Sequence, residues 1–364
     1  MGRNGTLATL LVMSLSAVRC ASQPQQAQPP PQQGPLPIID MHLHAQGAAA
    51  SGPPPVGLCA PFSEFATRDP QGDMASAFMG MLKKPPCTDP VWSPETDDAL
   101  MNATFEVLKR RNIIGVLSAG DELPDDPMGR VTRWQAAAPD RVIPALGFSV
   151  GPNCGPKIDG RCVTPQDVSR LHEQGRFVVF GEVGNQYEGV EPTDERFEPY
   201  LAMAEARDIP LGIHTGIGPS GVIYMGSPRY RARLHSPLLI EEALVRHPKL
   251  RVYLMHAGWP MIDDLLALMW AHPHVYVDVG AIVWVLPRAE FHRFLQRIVE
   301  SGFGNRVMFG SDQMNWPGMI ERALEAIEAA PFLTEQQKRD IFYNNAARSL
   351  RRSDQEMAVH SRSQ

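Results

Sequence analysis

The feature that most constrains this chain is a period. From residue 36 onward, short apolar runs alternate with helix-like segments, eight of each. The strand candidates begin with Leu36–Met41, Ile113–Ser118, Val142–Phe148 and Phe177–Glu182. They continue with Ile209–His214, Leu250–His256, Val275–Val279 and Arg306–Asp312. These runs are almost uninterrupted by polar residues, as parallel strands covered on both faces require. Amphipathic stretches lie between them, including Thr96–Arg111, Thr164–Gly175, Pro237–Arg246, Met261–Ala271 and Ala289–Glu300. Thr164-Pro165 opens its stretch as a cap followed by Pro at the first helical position.

Eight strand–helix units in a row predict one (β/α)8 TIM barrel over residues 36–350. The 364 residues would otherwise allow two domains, but a barrel alone uses about 250 residues. An open doubly wound sheet would need a glycine-rich phosphate turn after its first strand, and His-rich sequence stands there instead. The connection from Ala45 to Glu95 runs about 50 residues, far beyond an ordinary loop, and reads as a lid inserted near the barrel mouth. Of the 34 Pro, 15 lie between Pro24 and Pro94, which places the excess in a tether and this loop rather than in the core. With a net charge of -6 and no basic block, a nucleic-acid partner is not expected. The expected partner is a small-molecule substrate; the oligomeric state is open.

Residues 1–20 read as a signal peptide, with Arg3 as its basic start and Leu7–Val18 as a short apolar core. A Gln/Pro-rich linker follows over 21–35. Cys20 stands where a lipoprotein cysteine would, although Arg19 replaces the small residue expected before it. The product is therefore expected to be exported, as a membrane-anchored lipoprotein or a soluble periplasmic or secreted protein. The four remaining cysteines suit two disulfides in an oxidising compartment, and local pairing gives Cys59–Cys87 and Cys154–Cys162. After Leu350 a polar tail, 351–364, is expected to fray.

Five of the eight strand candidates end in a residue type that binds metals. The first ends in Asp40-Met41-His42-Leu43-His44, and alternation along a strand puts His42 and His44 on one side. The fourth brings Glu182, the fifth His214, the sixth His256 and the eighth Asp312. A barrel presents its chemistry at these strand ends. Four imidazoles and two carboxylates gathered there would be costly to bury without a cation.

The pattern resembles the amidohydrolase superfamily of metal-dependent hydrolases, in particular its amidohydrolase-2 branch. The resemblance rests on Ile39-Asp40-Met41-His42-Leu43-His44, His214, Met255-His256-Ala257-Gly258 and Phe309-Gly310-Ser311-Asp312. It extends to the closing segment from Leu333-Thr334-Glu335-Gln336-Gln337 through Asn345-Ala346-Ala347-Arg348-Ser349-Leu350. It implies that His42, His44 and Asp312 bind one metal and that His214 and His256 bind a second. Two-metal members bridge the ions with a carboxylated Lys or a Glu from the fourth strand. None of the six Lys lies there, and Glu182 does, so two ions bridged by Glu182 are expected. One-metal relatives instead suggest His42, His44, His214 and Asp312 as ligands, with His256 acting on substrate and Glu182 standing behind. Zinc is the default ion for such ligands, with manganese or iron as alternatives. Asp312 and His256 are the expected catalytic pair, Asp312 orienting the attacking water and moving its proton.

The loop after the fifth strand carries Tyr224, Arg229, Tyr230, Arg231, Arg233 and His235. Arg229 could pair with an anionic substrate group, although a solvated Arg-rich loop is the simpler reading. Tyr187 and Trp259 follow strand ends and are candidate pocket walls. No Gly-x-Ser-x-Gly elbow or P-loop occurs. The leading expectation is an exported metal-dependent hydrolase. The alternatives are a decarboxylase-like lyase of the same branch and a non-catalytic metal- or ligand-binding lipoprotein.

Overall fold

The computed structural model describes residues 1–2, 35–65, 67–119, 126–158, 160–216 and 218–362. The expected signal segment, Cys20 and most of the tether fall outside them. The chain separates into Met1–Gly34 and Pro35–Gln364. The second unit holds eight parallel strands: β1 Ile38–His44, β2 Ile113–Ser118, β3 Val142–Phe148, β4 Val179–Val183, β5 Leu211–His214, β6 Val252–Met255, β7 Tyr276–Asp278 and β8 Val307–Met308. Each pairs with the next in chain order. Two backbone hydrogen bonds bring the ends of the sheet together, Met41 N–H to the Phe309 carbonyl (2.9 Å) and Asp312 N–H to the His42 carbonyl (2.7 Å). The result is a nearly closed (β/α)8 barrel, as the alternating pattern predicts.

The apolar runs divide by face. Ile39, Met41, Ile114, Val116, Ala145, Val179, Tyr253, Met255 and Met308 fill the interior. Leu43, Ile113, Leu117, Leu146, Phe180, Ile213 and Leu254 belong to the larger core outside the sheet, against the helices. A register shift between Asp40 and Leu43 lets β1 serve both tasks. Ile39 and Met41 face inward below the shift, and His42 and His44 meet at the mouth above it, as a bulge that re-aims side chains allows. Gly212 is required by close approach: a Cβ there would lie 2.4 Å from the Tyr253 ring.

The helices begin where their caps predict. Thr96 caps Asp97–Arg110, accepting from Ala99 N–H. Thr164 and Asp167 form a reciprocal capping box at the start of Pro165–Glu173. Pro237–Arg246 opens as a 3-10 turn, Pro237–Ile240, before its helix Glu241–Arg246. The tail does not simply fray. It carries a helix, Asp354–Arg362, anchored by the buried His360. No helix among the described residues is long and apolar enough to cross a membrane.

The long β1 connection is an ordered insertion. It holds a helix, Met74–Lys83, and a small antiparallel ladder of Gly57–Leu58 with Val91–Trp92. Both expected disulfides are formed, Cys59–Cys87 within this insertion and Cys154–Cys162 after β3. The insertion is tied to three other mouth loops. Trp316 Nε1–H donates to the Val56 carbonyl at 3.0 Å and Phe62 N–H to the Val285 carbonyl at 3.1 Å. Arg68 stacks over the Tyr224 ring at 4.2 Å.

Candidate metal centre

The six residues singled out at strand ends come together at one end of the barrel. His42 Nε2 and His44 Nε2 are 3.1 Å apart. Asp312 Oδ1 lies 3.0 Å from His44 Nε2 and 3.8 Å from His42 Nε2. Across the mouth, His214 Nδ1 and His256 Nε2 are 3.0 Å apart. Glu182 stands between the groups. Its Oε1 bonds to His214 Nδ1 and lies 3.2 Å from His256 Nε2, while its Oε2 lies 3.8 Å from both His42 and His44. Glu182 is also the most open of the two carboxylates, 21% exposed against 9% for Asp312.

Backbone geometry aims these groups. His256 and Asp312 lie just beyond β6 and β8, and both have positive φ, 59° and 50°. Ala257 and Met314 in the same loops, and Ala281 after β7, share that conformation. Non-glycine residues held there cost free energy and tend to collect at functional sites. The eighth run is correspondingly shorter than Arg306–Asp312: the ladder ends at Met308, and the following residues turn to deliver Asp312.

A ring of buried partners holds the first six. Asp278 at the end of β7 is fully buried; its Oδ2 faces His42 Nδ1 at 3.4 Å. Its Oδ1 accepts from His256 N–H (3.2 Å) and Gly280 N–H (2.8 Å). A Cβ on Gly280 would sit 2.6 Å from His42 Nδ1, so this approach needs glycine. His256 Nδ1–H donates to the Gly280 carbonyl at 2.8 Å, which leaves Nε2 as the free acceptor toward the centre. Gln313 clamps the His44 backbone from both sides, at 3.1 and 2.7 Å. Asp40 Oδ1 accepts from His42 N–H and Ser311 N–H, both at 3.0 Å, and so locks β1 to β8.

Charge is concentrated and out of water. Burial pushes the Glu182 carboxyl up, but the His214 charge and hydrogen bonds from His214, His256 and His42 outweigh it and hold it well down. Asp312 is likewise held at about 2 against burial, by His42 and His44. Burial pushes His42 down, and the Asp312 and Asp278 carboxylates more than reverse this. His214 goes the other way: burial and repulsion from His256 lower it. Burial alone carries Asp40 up to about 7, against hydrogen bonds from Ser311 and His42.

The donor set suits divalent metal. Two clusters each offer atoms mutually within 4.8 Å, His42–His44–Asp312 and His42–Glu182–His256. Donors about 2.1 Å from one zinc ion lie roughly 3.0–3.4 Å apart, and the His42–His44 and His214–His256 spacings fall in that range. Imidazole lone pairs that face each other at this distance, out of water, call for a cation between them.

The other candidates fall differently. Tyr187 joins the site, its ring edge-on to His214 with centroids 4.8 Å apart. Trp259 follows β6, but its indole N–H donates to Glu290 on the outer helix Arg288–Ile298. Arg229 is half-exposed and faces Glu188 at 3.8 Å, with no contact among the described residues joining it to the six. Sequence reasoning passed over Asp278, Gln313 and His235. Asp278 did carry a signal, since it is a carboxylate one residue from the end of the apolar strand candidate Val275–Val279. His235 had been grouped with the Arg-rich loop. It is fully buried against His214, with burial and repulsion from His214 and His256 lowering it to about 2.

A family model described as amidohydrolase matches residues 39–352. An uncharacterised TIM-barrel protein from Bordetella bronchiseptica is similar in structure, with TM-score 0.57 and 18% identity, covering 89% of this chain and all of that one. A 5-carboxyvanillate decarboxylase from Sphingomonas paucimobilis superimposes with TM-score 0.50 and 15% identity over 87% of this chain and 99% of its own. Among curated proteins, fluG of Emericella nidulans is 22% identical over 108 residues. That match takes in 30% of this chain and only 12% of the relative's length.

Proposed function

Because the chain belongs to the amidohydrolase family, we propose that it is a metal-dependent hydrolase that uses water to cleave a C–N, C–O or P–O bond of a small molecule. The observation that carries this reading is the convergence of His42, His44, Glu182, His214, His256 and Asp312 from five strands. His42, His44 and Asp312 would hold one ion, His214 and His256 a second, and Glu182 both. Bound divalent metal, zinc by the ligand types, would lower the pKa of water toward neutrality and polarise the oxygen of the scissile group.

The protein's own contribution is orientation and proton movement. Asp312 lies beside His44, where its carboxylate can accept a proton from the attacking water and return it to the leaving group. Its low pKa keeps it ionised at neutral pH. His256, fixed by its bond to the Gly280 carbonyl, keeps Nε2 aimed at the centre. If one ion binds, His256 is the residue left to act on substrate. The insertion between β1 and its first helix, tied across the mouth, limits access of bulk water.

We also place the protein outside the cytoplasm, on the strength of the signal-like first 20 residues and the two disulfides. Mass spectrometry of the mature N-terminus tests this and shows whether Cys20 is lipidated.

Elemental analysis of metal per chain, paired with a screen of ester, lactone, amide and phosphotriester substrates, tests the main reading. Two ions and chelator-sensitive hydrolysis are expected. Hydrolysis that survives complete metal removal would sink it. Carbon dioxide release without water addition would replace it with the lyase.

A further inference from the structure

Metal-binding imidazoles need a partner for the ring nitrogen that faces away from the ion, because that hydrogen bond sets tautomer and ring angle. One of the four imidazoles here has one, and a second faces a carboxylate. His256 Nδ1 meets the Gly280 carbonyl, and His42 Nδ1 faces Asp278. His214 turns Nδ1 to the centre, so its proton belongs on Nε2. That nitrogen is buried and makes no hydrogen bond among the described residues. A buried N–H left unpaired bears the full cost of its lost hydration.

What stands beside it is another imidazole. His235 ends the short turn Ala232–His235 and is completely buried. Its ring lies 5.2 Å from that of His214, centroid to centroid, at 83°. Among the described residues, neither of its ring nitrogens has a hydrogen-bond partner. Tyr230 at 4.4 Å and Tyr187 at 5.7 Å complete the box around it. The backbone joins the two histidines as well, through Gly216 N–H to the His235 carbonyl at 2.8 Å. A neutral imidazole has one acceptor nitrogen. Ring nitrogens stand about 1 Å out from their centroids, so rotation about the broad terminal torsion brings the pair to about 3 Å, hydrogen-bond range.

We propose that His235 is a positioning residue: it accepts the Nε2–H of His214 and so holds Nδ1 toward the second metal position. Two orphaned polar groups, one needing an acceptor and the other offering it, satisfy each other inside an aromatic box that admits no other partner among the described residues. The inference rests on the metal-centre reading above.

The test uses the full-length protein, stripped by chelator dialysis and titrated with zinc by calorimetry. Three variants are compared: His235→Phe keeps the ring shape without an acceptor, and His235→Asn and His235→Gln restore an acceptor at the Nδ1 and Nε2 positions. Losing such a partner weakens metal binding about 10–100-fold. The expected result is that His235→Phe loses that factor at the weaker site only, with one amide variant within about threefold of wild type. Wild-type zinc affinity in His235→Phe would overturn the proposal. So would equal losses in all three variants accompanied by equal falls in melting temperature, which would assign His235 to packing. Failure of wild type itself to bind zinc would instead bring down the metal-centre reading, so the two failures are distinct.

Discussion

The two ends of the barrel bury polar groups in opposite ways. At the base, three buried polar side chains are answered by ordinary protein partners. Arg306 donates to the carbonyls of Met269, His272 and Val275 at 2.9, 3.2 and 3.3 Å. Asn345 donates to those of Gly304 and Val307 at 2.9 and 2.7 Å. Asn112 accepts from Arg141 and its carbonyl meets His360. At the mouth, four imidazoles and two carboxylates turn mainly toward one another, with His256 and Asp312 held at positive φ. Closed accounts at the base mark groups that hold the barrel shut. Open ones at the mouth mark groups arranged for something the protein must still bind. The same buried polarity thus means stability at one end and chemistry at the other.

The sharpest way to break this contrast is to change one group at each end. Asp312→Asn should cut turnover by about 10²–10⁴-fold, the range for losing a positioned acid–base group, while the fold survives. Steady-state kinetics and a melting curve on the same preparation decide it; a fold that collapses with the activity would make Asp312 a structural residue. Asn345→Ala should do the reverse. It removes the hydrogen bonds to the Gly304 and Val307 carbonyls and should cost about 1–3 kcal/mol in denaturant unfolding, with turnover per folded molecule unchanged.

This asymmetry also explains what could be read in advance. The barrel was legible because strands buried on both faces are forced to be apolar, and eight such runs leave few alternatives. His42, His44, Glu182, His214, His256 and Asp312 stood out because polar atoms at the ends of apolar runs need a reason. Asp278 obeyed the same rule and was missed, since a lone Asp closing a short strand also looks like the start of a turn. His235 had no such cue. An irregular loop separates it from β5, and no periodicity encodes that a chain returns to its starting strand. The tail helix Asp354–Arg362 was illegible for a related reason: most of its residues are polar, and the burial of His360 and the packing of Met357 settle where it lies.

His360 sharpens the comparison through pH. Burial lowers its pKa from 6.5 to about 4, against the hydrogen bond to the Asn112 carbonyl. Because the folded value is depressed, the unfolded chain takes up the proton first as pH falls. The stability it contributes is therefore full above about pH 6.5 and declines toward pH 4. Melting temperature should fall across that window, and His360→Gln should flatten the slope. An unchanged slope in the variant would mean that the base is not closed around a neutral imidazole.

The smallest expected effect belongs to a residue at the mouth that does not join the centre. Arg229 faces Glu188 at 3.8 Å and is 45% exposed, so the pair contributes at most about 1 kcal/mol. Arg229→Ala should leave kcat/KM within about threefold and the melting temperature nearly unchanged. The contrast between the ends holds only if proximity to the mouth is not enough and polar groups must converge on the centre to matter. A fall in kcat/KM beyond tenfold, carried by KM, would show that substrate reaches outward to this loop with an anionic group. The functional region would then extend past the buried cluster, and exposure at the mouth would no longer separate idle charge from working charge.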